Sequence, residues 1–208
     1  FRTIALPSPF ADHERAVVML QDYGDPAESA SNPISLISIA SGRSVSLGRG
    51  DQVAGDPAAD GVFAALTAPP RATATVLQTN PDARVVLRDA GRPQEVLATT
   101  ATLSHAVGLA RGLPVSLGVY PAPSGARVAV TVRPATGGAG GGIVILSRSG
   151  RIIATLPALG ATSPAPGGIG PAAGVPVWSP SGTSLAYLST RSGGARALRV
   201  WSGQGRIS

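Results

Sequence analysis

Short apolar runs alternate with clusters of Gly, Pro, Ser and Asn along this chain, and the spacing predicts strands joined by tight turns. One pattern recurs four times: an apolar strand, a small-residue turn ending Gly-Arg, and a second strand. Its copies are SLISIASGRSVSL (35–47), VVLRDAGRPQEVL (85–97), IVILSRSGRIIATL (143–156) and ALRVWSGQGRIS (197–208). Gly42, Gly91, Gly150 and Gly205 sit where each chain reversal needs a positive φ, which glycine adopts at no steric cost.

A second pattern places a polar turn before a nearly continuous apolar strand. VYPAPSGARVAVTV (119–132) and VWSPSGTSLAYLST (177–190) are clear copies; DPAADGVFAALT (56–67) and SPFADHERAVVML (8–20) are degenerate ones. A strand with one face in water alternates apolar and polar residues, whereas LAYL (185–188) and FAAL (63–66) do not. Sheets stacked radially bury both faces of their inner strands, and the small residues Ala64, Ala129 and Ala186 let neighbouring sheets approach.

The two patterns interleave, so one unit has two hairpins, four strands and about 50 residues, the size of a propeller blade. The expected fold is all-β: a β-propeller of about four four-stranded antiparallel blades in one domain, residues 1–208. Blade one covers roughly 10–48, blade two 49–98, blade three 115–157 and blade four 174–208. A sandwich of two sheets is the competing architecture. Arg2–Pro7 is similar to Arg151–Pro157 and reads as an outer strand. Either it completes the last blade of a small closed ring, or the chain is a segment of a larger ring. Two stretches carry helical alternatives: 11–21, after Pro9, and a short helix at Ser104–Arg111.

The segment WSPSGTSLAYLS (178–189) resembles the W-S-P-D-G-x-x-[IL]-A-[FY] signature of TolB-type β-propeller repeats. Trp178, Ser179, Pro180, Gly182, Leu185, Ala186 and Tyr187 match it, and Ser181 stands in the Asp position. The third copy keeps Pro123, Ser124, Gly125, Val128 and Ala129, with Tyr120 taken as the counterpart of the Trp. The resemblance implies the fold and leaves function open. Such repeats occur in periplasmic TolB proteins, in other extracytoplasmic binding proteins and in the gating propellers of prolyl-oligopeptidase-like enzymes.

Composition narrows the function classes. All 17 basic residues are arginine against 11 acidic ones, for a net charge of +6, yet only 13% of the chain is charged and 4% aromatic. The arginines are spread singly, without the basic patch and interleaved aromatics of a nucleic-acid binder. With no cysteine, disulfides and thiolate metal sites are excluded. No apolar run reaches the length of a membrane span, and the opening residues lack the basic and apolar regions of a secretory leader. The two histidines, His13 and His105, do not make a zinc cluster. Asp56, Asp60 and Asp82 fit no calcium-loop spacing. There is no G-x-S-x-G elbow, and the run Gly137–Gly142 lacks the G-K-[ST] that follows a phosphate loop. Arg49-Gly50-Asp51 spells an adhesion tripeptide, a chance match in a chain this rich in Arg and Gly.

The expectation is therefore a non-catalytic module with no cofactor and no metal, binding a protein or cell-envelope partner in an extracytoplasmic setting. The alternatives are a substrate-gating propeller of a peptidase and a small-ligand or sugar sensor. The Gly-containing turns fall at one end of each sheet and the long connections at the other. Because binding groups concentrate on loops held by a rigid scaffold, the candidate residues are those of the long-connection end: Tyr23, Asp25, Glu28, Arg71, His105, Arg111, Arg133 and Arg191.

Overall fold

The computed structural model describes residues 2–5, 15–22, 32–50, 52–55, 62–67, 84–89, 95–123, 125–134, 140–156, 176–190 and 196–203. They form four antiparallel sheets in chain order. The first is β1 (Arg2–Ala5), β2 (Arg15–Asp22), β3 (Asn32–Ser38) and β4 (Ser44–Gly50). The second is β5 (Gln52–Gly55), β6 (Val62–Thr67), β7 (Arg84–Asp89) and β8 (Glu95–Thr99). A short helix, α1 (Thr100–Ala106), leads to the third: β9 (Val115–Pro121), β10 (Arg127–Pro134), β11 (Gly142–Ser147) and β12 (Ile152–Leu156). The fourth has three strands among the described residues: β13 (Val177–Trp178), β14 (Ser184–Thr190) and β15 (Arg196–Ser202). Every strand pairs with its neighbour in sequence, so each sheet is a meander.

The turns explain why the strands reverse where they do. In the fourth sheet Ser179 N–H donates to the Ser184 carbonyl at 2.9 Å and Gly182 N–H to the Ser179 carbonyl at 2.8 Å. The third sheet repeats both bonds, from Ala122 to Arg127 and from Gly125 to Ala122, each at 2.8 Å. Gly125 and Gly182 both have a φ of 66°, the left-handed region where a side chain is strained. A register shift also recurs, at Ile34/Ser35, Val85/Val86 and Ile145/Leu146, and bends the fourth strand of the first three sheets alike.

Packing follows the period-two geometry of strands. On β10, Val128, Val130 and Val132 face the second sheet; with Val115, Leu117, Val119, Val144 and Leu146 they form one core with Val85, Leu97, Ala98 and Leu103. The alternate positions, Ala129, Ile143 and Ile145, face the fourth sheet and pack with Leu156, Leu185, Tyr187 and Trp201. β10 is therefore buried on both faces, which is why its sequence does not alternate. Each fully buried Val, Leu or Ile contributes about 1.5–3 kcal/mol. Between the third and fourth sheets, Trp178 Nε1 donates to the Tyr120 carbonyl at 2.8 Å. Trp201 meets Trp178 edge-on with centroids 6.2 Å apart, and the Arg127 guanidinium lies 5.5 Å from the Trp201 ring centroid. β5 and β6 approach β9, and β2 and β4 approach β5 and β6, so successive sheets stack face to face in a propeller.

The structure decides two alternatives and corrects two expectations. β1 pairs with β2 (Ala5 opposite Met19) and lies at the edge of the first sheet, not in the last blade. Closing a short hairpin costs less chain entropy than joining the two ends of the chain. Residues 15–21 are strand, because β2 gains backbone partners on both sides, outweighing local helix propensity. The helix in the long connection begins at Thr100, not Ser104, since Thr99 caps it by accepting from Thr102 N–H at 3.2 Å. Tyr120 is not the counterpart of Trp178: Pro121 is opposite Val128 as Trp178 is opposite Leu185, which leaves Tyr120 aligned with Val177.

Candidate binding face

Antiparallel pairing puts the end of β9 and the start of β10 at one end of the third sheet, with the 148–151 turn, and the end of β10 and the start of β11 at the other. α1 and the chain that follows it join the second sheet to the third at that second end. After α1 the chain reverses by a Schellman arrangement: Gly108 N–H donates to the His105 carbonyl at 3.0 Å and Leu109 N–H to the Ser104 carbonyl at 2.9 Å. Gly108 takes the left-handed conformation, with a φ of 73°. Leu103 is fully buried in the core beneath, and Ala106, Val107 and Leu109 pack beside it. This segment is thus a fixed platform.

The glycine run supports the platform. A Cβ at Gly140 would lie 3.2 Å from Leu109 Cδ2, and one at Gly142 would lie 2.5 Å from the Leu156 carbonyl oxygen. A Cβ at Gly141 would overlap the Val132 carbonyl. Glycine is required here so that the 140–142 backbone can lie against its neighbours. The described part of the run, Gly140–Gly142, is a close-packed strand entry.

The candidate residues are distributed unequally. Tyr23, Asp25, Glu28, Arg71 and Arg191 lie outside the described residues. His105 is exposed in the last turn of α1, and Arg111 is exposed in the turn before β9. Arg133 lies not in a loop but inside β10, which runs on to Pro134 because β9 pairs with it throughout (Arg133 opposite Ser116). It is half-buried, and burial lowers its guanidinium pKa while the nearby Tyr120 opposes the shift. The fold brings the 107–112 segment, Arg133 and the 140–142 backbone to one end of the third sheet. His105 and Arg111 face water there, while Arg133 is folded into the side of the sheet.

Tyr120 was missed as a polar group of this region. A Cβ at Gly118 would lie 2.8 Å from the Tyr120 hydroxyl and 2.7 Å from Thr131 Oγ1, so Gly118 makes room for the phenol. The signal was legible as a tyrosine two residues after a glycine in a largely apolar strand. Across the junction, Arg199 Nε donates to the buried Ser189 hydroxyl at 2.9 Å. Tyr187 is 1% exposed and its hydroxyl has no hydrogen-bond partner among the described residues. Burial raises its pKa, and Arg199 partly offsets this. Among the described residues no group of three or more His, Cys, Asp or Glu side chains could hold a metal ion, and no helix is long and apolar enough to cross a membrane.

No family model and no curated protein matches the chain. Solved structures do. The β-propeller domain of the Trilobed protease from Pyrococcus furiosus aligns with 100% of this chain and 56% of its own, at 9% identity and a TM-score of 0.60. TolB from Acinetobacter baumannii aligns with 100% of this chain and 43% of its own, at 12% identity and a TM-score of 0.53. A prolyl endopeptidase aligns with 98% of this chain and 27% of its own, at 10% identity and a TM-score of 0.60. The chain therefore spans between about a quarter and somewhat over half of the length of these proteins. Identities this low bear on architecture alone. Together with the four stacked meanders they establish that the chain has a β-propeller fold.

Proposed function

We propose that this chain is a non-catalytic β-propeller module, with repeats of the TolB type, that binds a protein or cell-envelope partner through its long-connection end. The observation that carries the reading is the contrast between the two ends of the third sheet. At one end the turns repeat each other bond for bond, through Gly125 and Gly182. At the other, α1, the Schellman reversal and the packed glycines form a rigid surface unlike the short turns. Repetition serves a scaffold, whereas a specific partner needs unequal contacts on fixed backbone. His105 and Arg111 supply exposed donors on that surface, and Arg133 anchors its edge. We extend the proposed face to Tyr23, Asp25, Glu28, Arg71 and Arg191, which the sequence assigns to the other long connections. The setting we infer is extracytoplasmic, the partner is neither nucleic acid nor metal, and residues 1–208 act as one domain.

Two triple variants test this. Arg111→Ala with Arg133→Gln and Arg191→Ala removes donors from the long-connection end; Arg43→Ala with Arg92→Ala and Arg151→Ala removes them from the Gly-Arg turns. A partner identified by pull-down from envelope extract is titrated against both at two salt concentrations. We expect the first variant to lose at least tenfold in affinity, the scale of one or two interface contacts, and the second to bind as the parent does. Loss confined to the second variant means that repeated turn charges grip an anionic surface, and the reading is wrong.

A further inference from the structure

The arginines are spread singly along the chain, but the acidic residues are segregated. All 11 Asp and Glu residues lie at or before Glu95, while nine of the 17 arginines follow it. The third and fourth sheets, with every connection after β8, therefore carry positive charge and no carboxylate of their own. Charge divided in this way draws an anionic partner to one half of a chain.

The fold gathers part of that charge in the junction between the two sheets. On β10, Ala129, Thr131 and Arg133 share one face, and Ala129 packs against the fourth sheet. Opposite them, Leu185, Tyr187 and Ser189 of β14 share a face with Arg199 and Trp201 of β15. The junction changes character along its length. Near the turns it is apolar, where Ala129, Leu185, Trp178 and Trp201 pack together. Toward the end where β10 and β14 finish it is polar. There the third sheet presents Thr131, Arg133 and the Tyr120 hydroxyl, and the fourth presents Tyr187, Ser189 and Arg199. Arg133 and Arg199 are both half-buried. The bond from Arg199 Nε to the Ser189 hydroxyl holds the second guanidinium in place. Burial lowers the pKa of Arg133, so its charged form is desolvated and gains from an arriving anion. The Tyr187 hydroxyl, without a partner among the described residues, adds a buried donor to the same end.

We propose that this end of the junction is a carboxylate-binding slot, in which Arg133 and Arg199 take an acidic side chain from an extended segment of a partner protein. Charge-assisted hydrogen bonds from a guanidinium to a carboxylate are about twice as strong as neutral ones. A carboxylate side chain reaches the edge between two sheets packed about 10 Å apart, whereas a nucleic-acid duplex is too wide. Trp178, Trp201 and Tyr187 are packed into the junction and offer bases no stacking platform. The slot deepens the partner reading above and rests on it for the identity of its occupant.

The test titrates the full chain with a ten-residue glutamate peptide at low salt. Fluorescence follows binding, since both tryptophans of the chain lie in this junction. Arg133→Gln and Arg199→Gln remove charge from the slot. Arg151→Gln removes the same charge from an exposed turn at the opposite end. We expect each slot variant to lose about fivefold or more in affinity, the scale of one interface contact. Arg151→Gln should stay within about twofold of the parent, as for an exposed charge. Arg199→Lys should recover part of the loss, and a glutamine peptide of equal length should not bind. Hydrogen exchange on the parent, with and without the glutamate peptide, needs no variant and should show protection at 131–134 and 196–200. Absence of glutamate binding overturns the inference. So do equal losses in all three glutamine variants, tighter binding of a ten-nucleotide thymidine strand, or protection confined to other segments. If the glutamate peptide fails while an envelope partner still binds through the long-connection end, the slot falls and the partner reading stands. If the peptide binds as expected while an envelope partner responds only to the Gly-Arg turn variant, the carboxylate slot stands and the partner reading falls.

Discussion

Gly42 and Gly150 close turns of different length, Gly42 N–H donating to the Ser38 carbonyl and Gly150 N–H to the Ser147 carbonyl, and replacing them by alanine should have different consequences. Both precede an arginine whose carbonyl accepts from the serine that opens the turn: Ser38 N–H to Arg43 at 2.9 Å, and Ser147 N–H to Arg151 at 2.8 Å. Their φ values are 65° and 77°. Placing an L-residue in this conformation costs roughly 1–2 kcal/mol, and that cost is common to both. The surroundings differ. At Gly42 an added Cβ meets nothing within 4 Å. At Gly150 it would lie 2.5 Å from the Leu97 carbonyl oxygen and 3.2 Å from Leu97 Cα. Leu97 is the bulged residue of β8, between Val96 and Ala98, which pair with Val86 and Val85, so it moves only with the strand. The second and third sheets must separate, at the roughly 1–3 kcal/mol typical of overpacking. Gly42→Ala should thus lose about 1–2 kcal/mol and Gly150→Ala about 2–5 kcal/mol. Guanidinium unfolding followed by far-ultraviolet circular dichroism, with the slope m held constant, measures both. Asparagine separates the two costs, since it tolerates left-handed backbone but still carries a Cβ. Gly42→Asn should be close to neutral and Gly150→Asn should remain destabilising. Equal losses for the two alanine variants, or a neutral Gly150→Asn, would show that the contact of the turn with Leu97 does not hold these sheets together.

Two further outcomes follow from the junction and turns of the fourth sheet. Gly182→Val should lower stability by about 1–3 kcal/mol, because a β-branched residue is strained at a φ of 66°; an unchanged denaturation midpoint would refute this. Tyr187→Phe should leave stability at neutral pH unchanged or about 1 kcal/mol higher, because the hydroxyl it removes is buried without a partner among the described residues. The same variant tests a pH dependence. Burial raises the folded-state pKa of Tyr187 above its unfolded value near 10. The folded state therefore binds this proton more tightly, and the contribution is complete below about pH 10 and is lost as the pH climbs through the higher folded value. A parent whose stability falls over that window no faster than that of Tyr187→Phe contradicts the assignment.

Much of the scaffold was legible because its rules are local. The turn at Pro180-Ser181-Gly182 follows from residues that each favour a reversal, and the structure places Gly182 in the left-handed region as such a turn demands. The near-continuous strand of the 119–132 copy is buried on both faces, as its pattern predicted, whereas LAYL (185–188) buries only Leu185 and Tyr187 and turns Ala186 and Leu188 to the exposed side of the fourth sheet. The candidate site was less legible. Thr99 caps a helix that no long periodic pattern announces, and Arg133 reads as a loop residue until the pairing of β9 carries β10 past it.

What the sequence determined alone was periodic: strand spacing, the glycines of the turns, and the all-β repeat that predicts a propeller. These depend on backbone dihedrals and on side-chain alternation within a few residues, both of which are written in the local chain. The tertiary structure alone decided that β1 pairs with β2 and that Gly140, Gly141 and Gly142 serve close packing. It alone assigned Tyr120 a place beside Gly118 with its carbonyl on Trp178, and left Val177, Leu198 and Val200 uncovered. Each of these depends on which surfaces meet across large separations in sequence. The free energy of such a contact depends on the shape and burial of both surfaces, and a residue's own neighbours in the chain carry no record of what lies across from it.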